Sequence, residues 1–96
     1  MAFTIVYSPT ALDDWKNLIE WSWQKHPDTT PRFLRSMRNY INLLQEAPHM
    51  GLRVKRRPEI RRLSHDPFHI YYRIDETEKR IAILHFRHAM RRKPRL

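Results

Sequence analysis

An α+β fold of order β-α-α-β-β-β is predicted for this chain of 96 residues, and three observations predict it. A short β-branched run opens the sequence. Two stretches with apolar residues at helical spacing follow it, and from Glu59 onward the period falls to two in three segments separated by turn residues. A chain of this length supports one modest core of two layers, an N-terminal strand and helical hairpin packed on an antiparallel sheet. It is read as a single domain over 1–96 with a basic C-terminal tail from about residue 89.

The first strand is Phe3 to Tyr7, closed by Ser8-Pro9, which supplies an N-cap and a proline at the first helical position. Asp13 and Asp14 lie in the first turns, where the helix dipole favours negative charge. Ala11, Leu12, Trp15, Leu18, Ile19, Ser22 and Trp23 then follow helical spacing and define the buried face, and Trp21 falls off it. His26-Pro27-Asp28 breaks this helix, because a residue before proline avoids the helical region, and Thr29-Thr30-Pro31 starts the next. In the second helix Phe33, Leu34, Met37, Tyr40, Ile41 and Leu44 share a face, while Arg32, Arg35, Arg38 and Asn39 point away. Ala47-Pro48-His49-Met50-Gly51 ends it at the only glycine of the chain. Arg53 to Arg57 reads as a basic connector, followed by strands from about Glu59 to Ser64, Phe68 to Ile74 and Arg80 to His88, an antiparallel meander. In the middle strand Phe68, Ile70, Tyr72 and Ile74 form the packed face, and His69, Tyr71 and Arg73 form the presented one.

The net charge of +9 lies entirely in the second half, since residues 1–50 hold equal numbers of basic and acidic side chains. An asymmetry of that size points to an anionic partner. No cysteine is present, which excludes disulfides and thiolate metal sites. Six histidines raise the question of a metal, but none is expected: no His-x-x-x-His occurs, and His85-x-x-His88 places its two rings on opposite faces of a strand. No cofactor, no membrane span and no signal peptide is read from the sequence, and the cytosol is the expected compartment.

Five short motifs in order carry a family resemblance. They are Ala11-x-x-Asp14-Trp15; Leu43-Leu44-Gln45-Glu46-Ala47-Pro48 running to Gly51; Ile60-Arg61-Arg62-Leu63; Phe68-His69-Ile70-Tyr71-Tyr72-Arg73-Ile74; and His88-x-x-Arg91. In this series the chain resembles the RelE/ParE toxins of bacterial type II toxin–antitoxin systems over nearly its full length, closer to the ParE branch. The resemblance implies a growth-arresting toxin bound by a cognate antitoxin, whose disordered segment folds on it. It implies as target either DNA gyrase, poisoned by ParE-like members, or mRNA on the ribosome, cut by RelE-like members.

RNA cleavage through the 2′-hydroxyl needs a proton acceptor, cations on the phosphate and a donor to the leaving oxygen. Matched to the RelE-like toxins, this chain has Ile60 in place of one lysine, Arg62 for a second, His69 for an arginine and Arg91 for another, with no tyrosine after Arg91. The nuclease alternative thus rests on Arg62, His69, His88 and Arg91. His88-x-x-Arg91 and Tyr72-Arg73 match the ParE pattern more closely, so gyrase is the preferred target, contacted by Arg61, Arg62, Arg73, His88, Arg91 and Arg92. Trp21 and Leu43, off the apolar faces of their helices, are expected to meet the antitoxin. A third reading is a basic nucleic-acid-binding module with exposed Tyr71 and Phe86 as stacking platforms.

Overall fold

Ser8 begins the helical hairpin as the sequence predicts. Its Oγ accepts from Ala11 N at 3.0 Å and Pro9 takes the first helical position. The computed structural model describes residues 2–90, in the order β1 (Thr4–Tyr7), α1 (Pro9–Lys25), α2 (Thr30–Asn42), β2 (Leu52–Val54), β3 (Arg57–His65), β4 (Phe68–Asp75) and β5 (Arg80–His88). A 3-10 turn, Leu43–Gln45, prolongs α2. Between the helices, Thr30 Oγ1 donates to His26 O at 2.8 Å, which leaves Ser22 Oγ to donate to Thr30 at 2.7 Å. That chain of hydroxyls satisfies the buried polar atoms of the corner.

The sheet order is β1-β5-β4-β3-β2, and the hairpin covers one face of it. Met37, Ile41 and Leu44 from α2 and its 3-10 turn, with Ala11 and Leu18 from α1, pack on Ile70, Tyr72, Ile81 and Ile83 of the central strands. All of these are at most 2% exposed. The α+β class and the antiparallel meander β3-β4-β5 follow the expectation, but the sheet as a whole is mixed, because β1 pairs with β5 in parallel. Strand direction is not encoded in an apolar alternation. Ile5 and Tyr7 reach the core in either direction, and what orients β1 is the bond from Ser8 N to Ile83 O at 2.9 Å.

The basic connector expected at Arg53 to Arg57 contains a strand. Leu52–Val54 pairs antiparallel with β3, with a register shift between Arg53 and Val54. Three residues interrupted by a bulge show no period, and the charge that hides the strand also blunts the sheet edge.

Two further expectations are corrected by the packing. Leu12 and Trp23 are exposed, at 49% and 48%, whereas Trp21 is half-buried, edge-on to Phe68 at 5.2 Å and to His88 at 5.5 Å. The buried stripe of α1 is rotated toward Ala11, Leu18 and Ser22, and this carries the Trp21 ring over the end of the sheet. Tyr71 and Phe86, expected as exposed platforms, are each 3% exposed. Tyr71 pairs with His85 but Tyr72 pairs with Ile83, so Leu84 is an extra residue that resets the phase of β5. Ile83 and Phe86, three apart, therefore both face the helices, where Phe86 lies against Trp15 at 5.3 Å.

Tyr72 ties the sheet to the loop after α2. Its hydroxyl donates to Pro48 O at 2.7 Å and accepts from Gly51 N at 2.9 Å, while Arg61 Nη1 donates to Gly51 O at 2.8 Å. A Cβ at Gly51 would stand 2.7 Å from the Tyr72 ring and hydroxyl. Gly51→Ala should therefore cost about 1–3 kcal/mol through overpacking. Tyr72→Phe should cost about 1–3 kcal/mol by leaving Gly51 N–H and Pro48 C=O unpaired. In a domain of this size either loss lowers Tm by about 4–8 °C per kcal/mol in a thermal melt.

Burial raises the Tyr72 hydroxyl above its ordinary value, against smaller opposing effects of Gly51 and Arg61, and burial raises Tyr7 against the opposing charge of Arg38. A raised phenol favours the folded state below the unfolded pKa and loses that contribution as pH climbs through the folded one. Stability should fall above about pH 10, and less steeply in Tyr72→Phe than in the wild type when each is referred to its own neutral-pH value.

Candidate target-binding face of the sheet

The face turned away from the hairpin is assembled by cross-strand register. Leu52, Arg62, Tyr71 and His85 stand in one row; Ser64, His69 and Arg87 stand in the next. On the other side Ile60, Arg73, Ala82 and Val6 form a third row. Ile60 and Tyr71 are buried and make the floor. Arg62 and Arg73 rise beside them, and neither makes a hydrogen bond or an ion pair among the described residues. His69 is oriented by Ser64, whose Oγ lies 3.0 Å from His69 Nδ1.

One edge of this face is anchored from α1. β1 ends at Tyr7, opposite Ile83, so the rest of β5 is without a strand neighbour on that side. Ser8 Oγ donates to Leu84 O at 3.1 Å, and Asp14 Oδ2 accepts from Phe86 N at 3.1 Å. The same carboxylate accepts from Arg87 Nη1 at 3.4 Å. His85 Nδ1 lies 3.5 Å from Asp14, an ion pair when the ring is protonated, and makes no hydrogen bond. Asp14 thereby satisfies an open strand edge and fixes two side chains of the basic face.

The residues expected to contact a target are divided by the sheet. Arg62, Arg73 and His69 share the outer face. Arg61 pairs across from the core residue Tyr72 and turns toward the hairpin side, where its guanidinium is committed to the carbonyls of Gly51 and His49. His88 pairs with Phe68 on that same side, its ring edge-on to Trp21 and Phe68, and its Nδ1 accepts from Met90 N at 3.2 Å. Arg91 and Arg92 lie outside the described residues. Of the two hairpin residues, Leu43 is exposed and Trp21 is half-buried. Asp14 and Arg87 were not expected on this face, although Asp14 stands in the Ala11-x-x-Asp14 motif and offered a signal.

On the hairpin side, Tyr7, Leu12, Trp15, Arg38, Ile41 and Asn42 line a cleft of about 330 Å³. Among the described residues no three His, Asp or Glu side chains group as a metal site, and no helix is long and apolar enough to cross a membrane.

This arrangement, a helical hairpin on a five-stranded mixed sheet with a basic outer face, is the fold of the small RelE/ParE toxins. The P. aeruginosa chromosomal ParDE system matches with a TM-score of 0.74 and 19% identity, over 91% of this chain and 96% of that one. The RelBE2 toxin–antitoxin complex of Mycobacterium tuberculosis matches with a TM-score of 0.67 and 22% identity, over 92% and 99%. The isolated E. coli RelE toxin matches with a TM-score of 0.63 and 14% identity, over 96% and 89%. No curated protein sequence matches the chain. Residues 5–93 match the ParE toxin of type II toxin–antitoxin systems, parDE, and the chain belongs to that family.

Asp14→Ala should remove the acceptor from a part-buried N–H and cost about 1–3 kcal/mol in urea unfolding. Asp14→Asn keeps an acceptor oxygen and should recover part of that loss, which a pair of denaturation curves would show.

Proposed function

We propose that this chain is a toxin that poisons DNA gyrase through the outer face of its sheet and is neutralised by a cognate antitoxin, both in the cytosol. The observation that carries the reading is the pair of guanidinium groups, half-buried Arg62 and exposed Arg73, beside a buried floor on one face and without a side-chain hydrogen bond or ion pair among the described residues. Binding a target and trapping it asks for charge-assisted contacts and for no proton transfer of the toxin's own. The ParE family match supports the same target. Support for RNA cleavage is weaker, because His88 is packed between aromatic rings on the hairpin side, away from Arg62 and His69. The second reading, cleavage of ribosome-bound mRNA, keeps one observation in its favour: His69, held by Ser64, stands on the same face as Arg62.

The antitoxin is assigned to the hairpin, where Leu12 lines the cleft beside Trp15, Trp23 and Leu43 are further exposed apolar groups, and Trp21 is half-buried. Arg91 and Arg92 extend the target surface in this proposal. Its reference assays are inhibition of gyrase supercoiling and mRNA cleavage on translating ribosomes, run in parallel on purified toxin.

Loss of one charge-assisted contact costs about 1.5–3 kcal/mol, or roughly tenfold or more in affinity. Arg62→Ala combined with Arg73→Ala should therefore abolish growth arrest on expression, while antitoxin binding through the hairpin persists. His69→Ala should leave most of the toxicity. Toxicity abolished by His69→Ala, together with cut mRNA and unaffected gyrase, would transfer the assignment to the nuclease reading.

A further inference from the structure

We infer that the outer sheet face binds the phosphodiester backbone of DNA directly, through Arg62, Arg73 and Arg87, and does not read its bases. The inference rests on the reading of this face as the target-contacting surface, and it names DNA, the substrate gyrase holds, as what the face touches. Three features lead to the backbone of a nucleic acid.

The first is the sign and layout of charge. Arg62 pairs with Tyr71, and Arg73 lies two residues further along β4, so the two are diagonal neighbours, about 7–8 Å apart at the backbone. Arg87 stands in the row on the opposite side of Tyr71. The three cations are thus spread along the strands and do not converge on one carboxylate-sized point. The carboxylates nearby are occupied: Glu59 with Arg57 at 2.9 Å, Asp75 with Glu78 N at 3.0 Å, and Asp14 with Phe86 N at 3.1 Å and with one Nη of Arg87 at 3.4 Å. The hydrogen bond from Arg57 holds the Glu59 carboxyl below its ordinary range, with a smaller contribution from the charge of Arg73.

The second feature is the absence of exposed aromatic platforms and of a shape that enters a groove. The Tyr71 ring is buried in the floor, and Phe86 is buried on the hairpin side, so neither offers its face to an unstacked base. The outer face spans five strands, β1 to β5, roughly 19 Å across at ordinary strand spacing. A surface of that width does not enter a major groove about 12 Å wide.

The third feature argues against an acidic protein surface as the occupant. Stable protein interfaces are anchored by apolar groups that lose water on binding. Here Ile60 and Tyr71 have already lost it, and Leu52 at the β2 edge is the exposed large apolar residue of the row. Cations over a dry floor suit a polyanion whose attraction is electrostatic and independent of sequence.

The experiment is a fluorescence-anisotropy titration of the full-length toxin with a labelled duplex oligonucleotide of random sequence, across salt concentrations, with a polyglutamate peptide of equal length as the comparison probe. The wild type should bind the duplex more tightly than polyglutamate and with equal affinity for unrelated sequences. Arg62→Ala with Arg73→Ala should weaken duplex binding roughly tenfold or more and reduce the log–log salt slope by about two. Arg62→Lys with Arg73→Lys should retain that slope, because the slope follows the number of phosphates neutralised and each lysine keeps its charge. Arg32→Ala with Arg35→Ala, on the hairpin, should leave both quantities unchanged, and circular dichroism controls for folding. Duplex binding unaltered in the Arg62/Arg73 alanine variant overturns the inference, as does a loss confined to polyglutamate. Gyrase inhibition read on the same samples separates the two conclusions. Inhibition that persists when duplex binding proves independent of the face leaves the gyrase reading standing and the inference refuted. Duplex binding that depends on the face, without inhibition, does the reverse.

Discussion

Leu84 is one residue more than β4 can pair, and much of the molecule follows from where that extra residue falls. Before it, Ile81 and Ile83 face the helices; after it, Phe86 and His88 do, so the strand presents an apolar edge to the hairpin along its whole length. The same shift sends His85 and Arg87 to the outer face. It also coincides with the end of β1, beyond which β5 has no strand neighbour on that side. Ser8 and Asp14, both from the start of α1, supply the hydrogen bonds that a longer β1 would have made. A single bulge thus sets core packing, the composition of the basic face and the docking of the first helix.

The two faces of the sheet carry different chemistry because of alternation alone. Arg61 and Arg62 are neighbours in sequence, yet one is bonded to loop carbonyls under the hairpin and the other lies half-buried on the outer face. His69 and His88 divide in the same way, the first beside Ser64 and the second between two aromatic rings. A list of basic residues in the second half of the chain overstates the surface available to a polyanion, since those on the hairpin side are held by the fold.

The elements that could be read from the sequence are those with strong local signals. Ser8-Pro9 marks the start of α1, the apolar spacing of α2 places Met37, Ile41 and Leu44 correctly, and the alternation in β4 identifies Ile70 and Tyr72 as core. What was not legible depends on tertiary partners. β2 is three residues long and irregular, β1 takes its direction from the Ser8 contact to β5, and the exchange of Trp21 for Trp23 in the buried layer is a rotation of α1 that only Phe68 and His88 could specify. In the site, His69 and Arg73 were legible because period two in β4 assigns them to the presented face, whereas Arg61 was expected beside Arg62 although the same period sends the two to opposite faces. Asp14 was seen as a motif residue and as a helix-dipole partner, and its contact with β5, some seventy residues away, has no local trace.

The parallel pairing of β1 with β5 joins the first and last strands of the described residues. During synthesis Thr4–Tyr7 emerges before Arg80–His88, so β1 has no strand to pair with until both helices and β2 to β4 have been made. The helical hairpin can form from local contacts in the interval, but the apolar side it offers stays uncovered. The layer that presents the basic face is therefore completed only once β5 has been made, and a nascent chain that stops short of β5 lacks that surface.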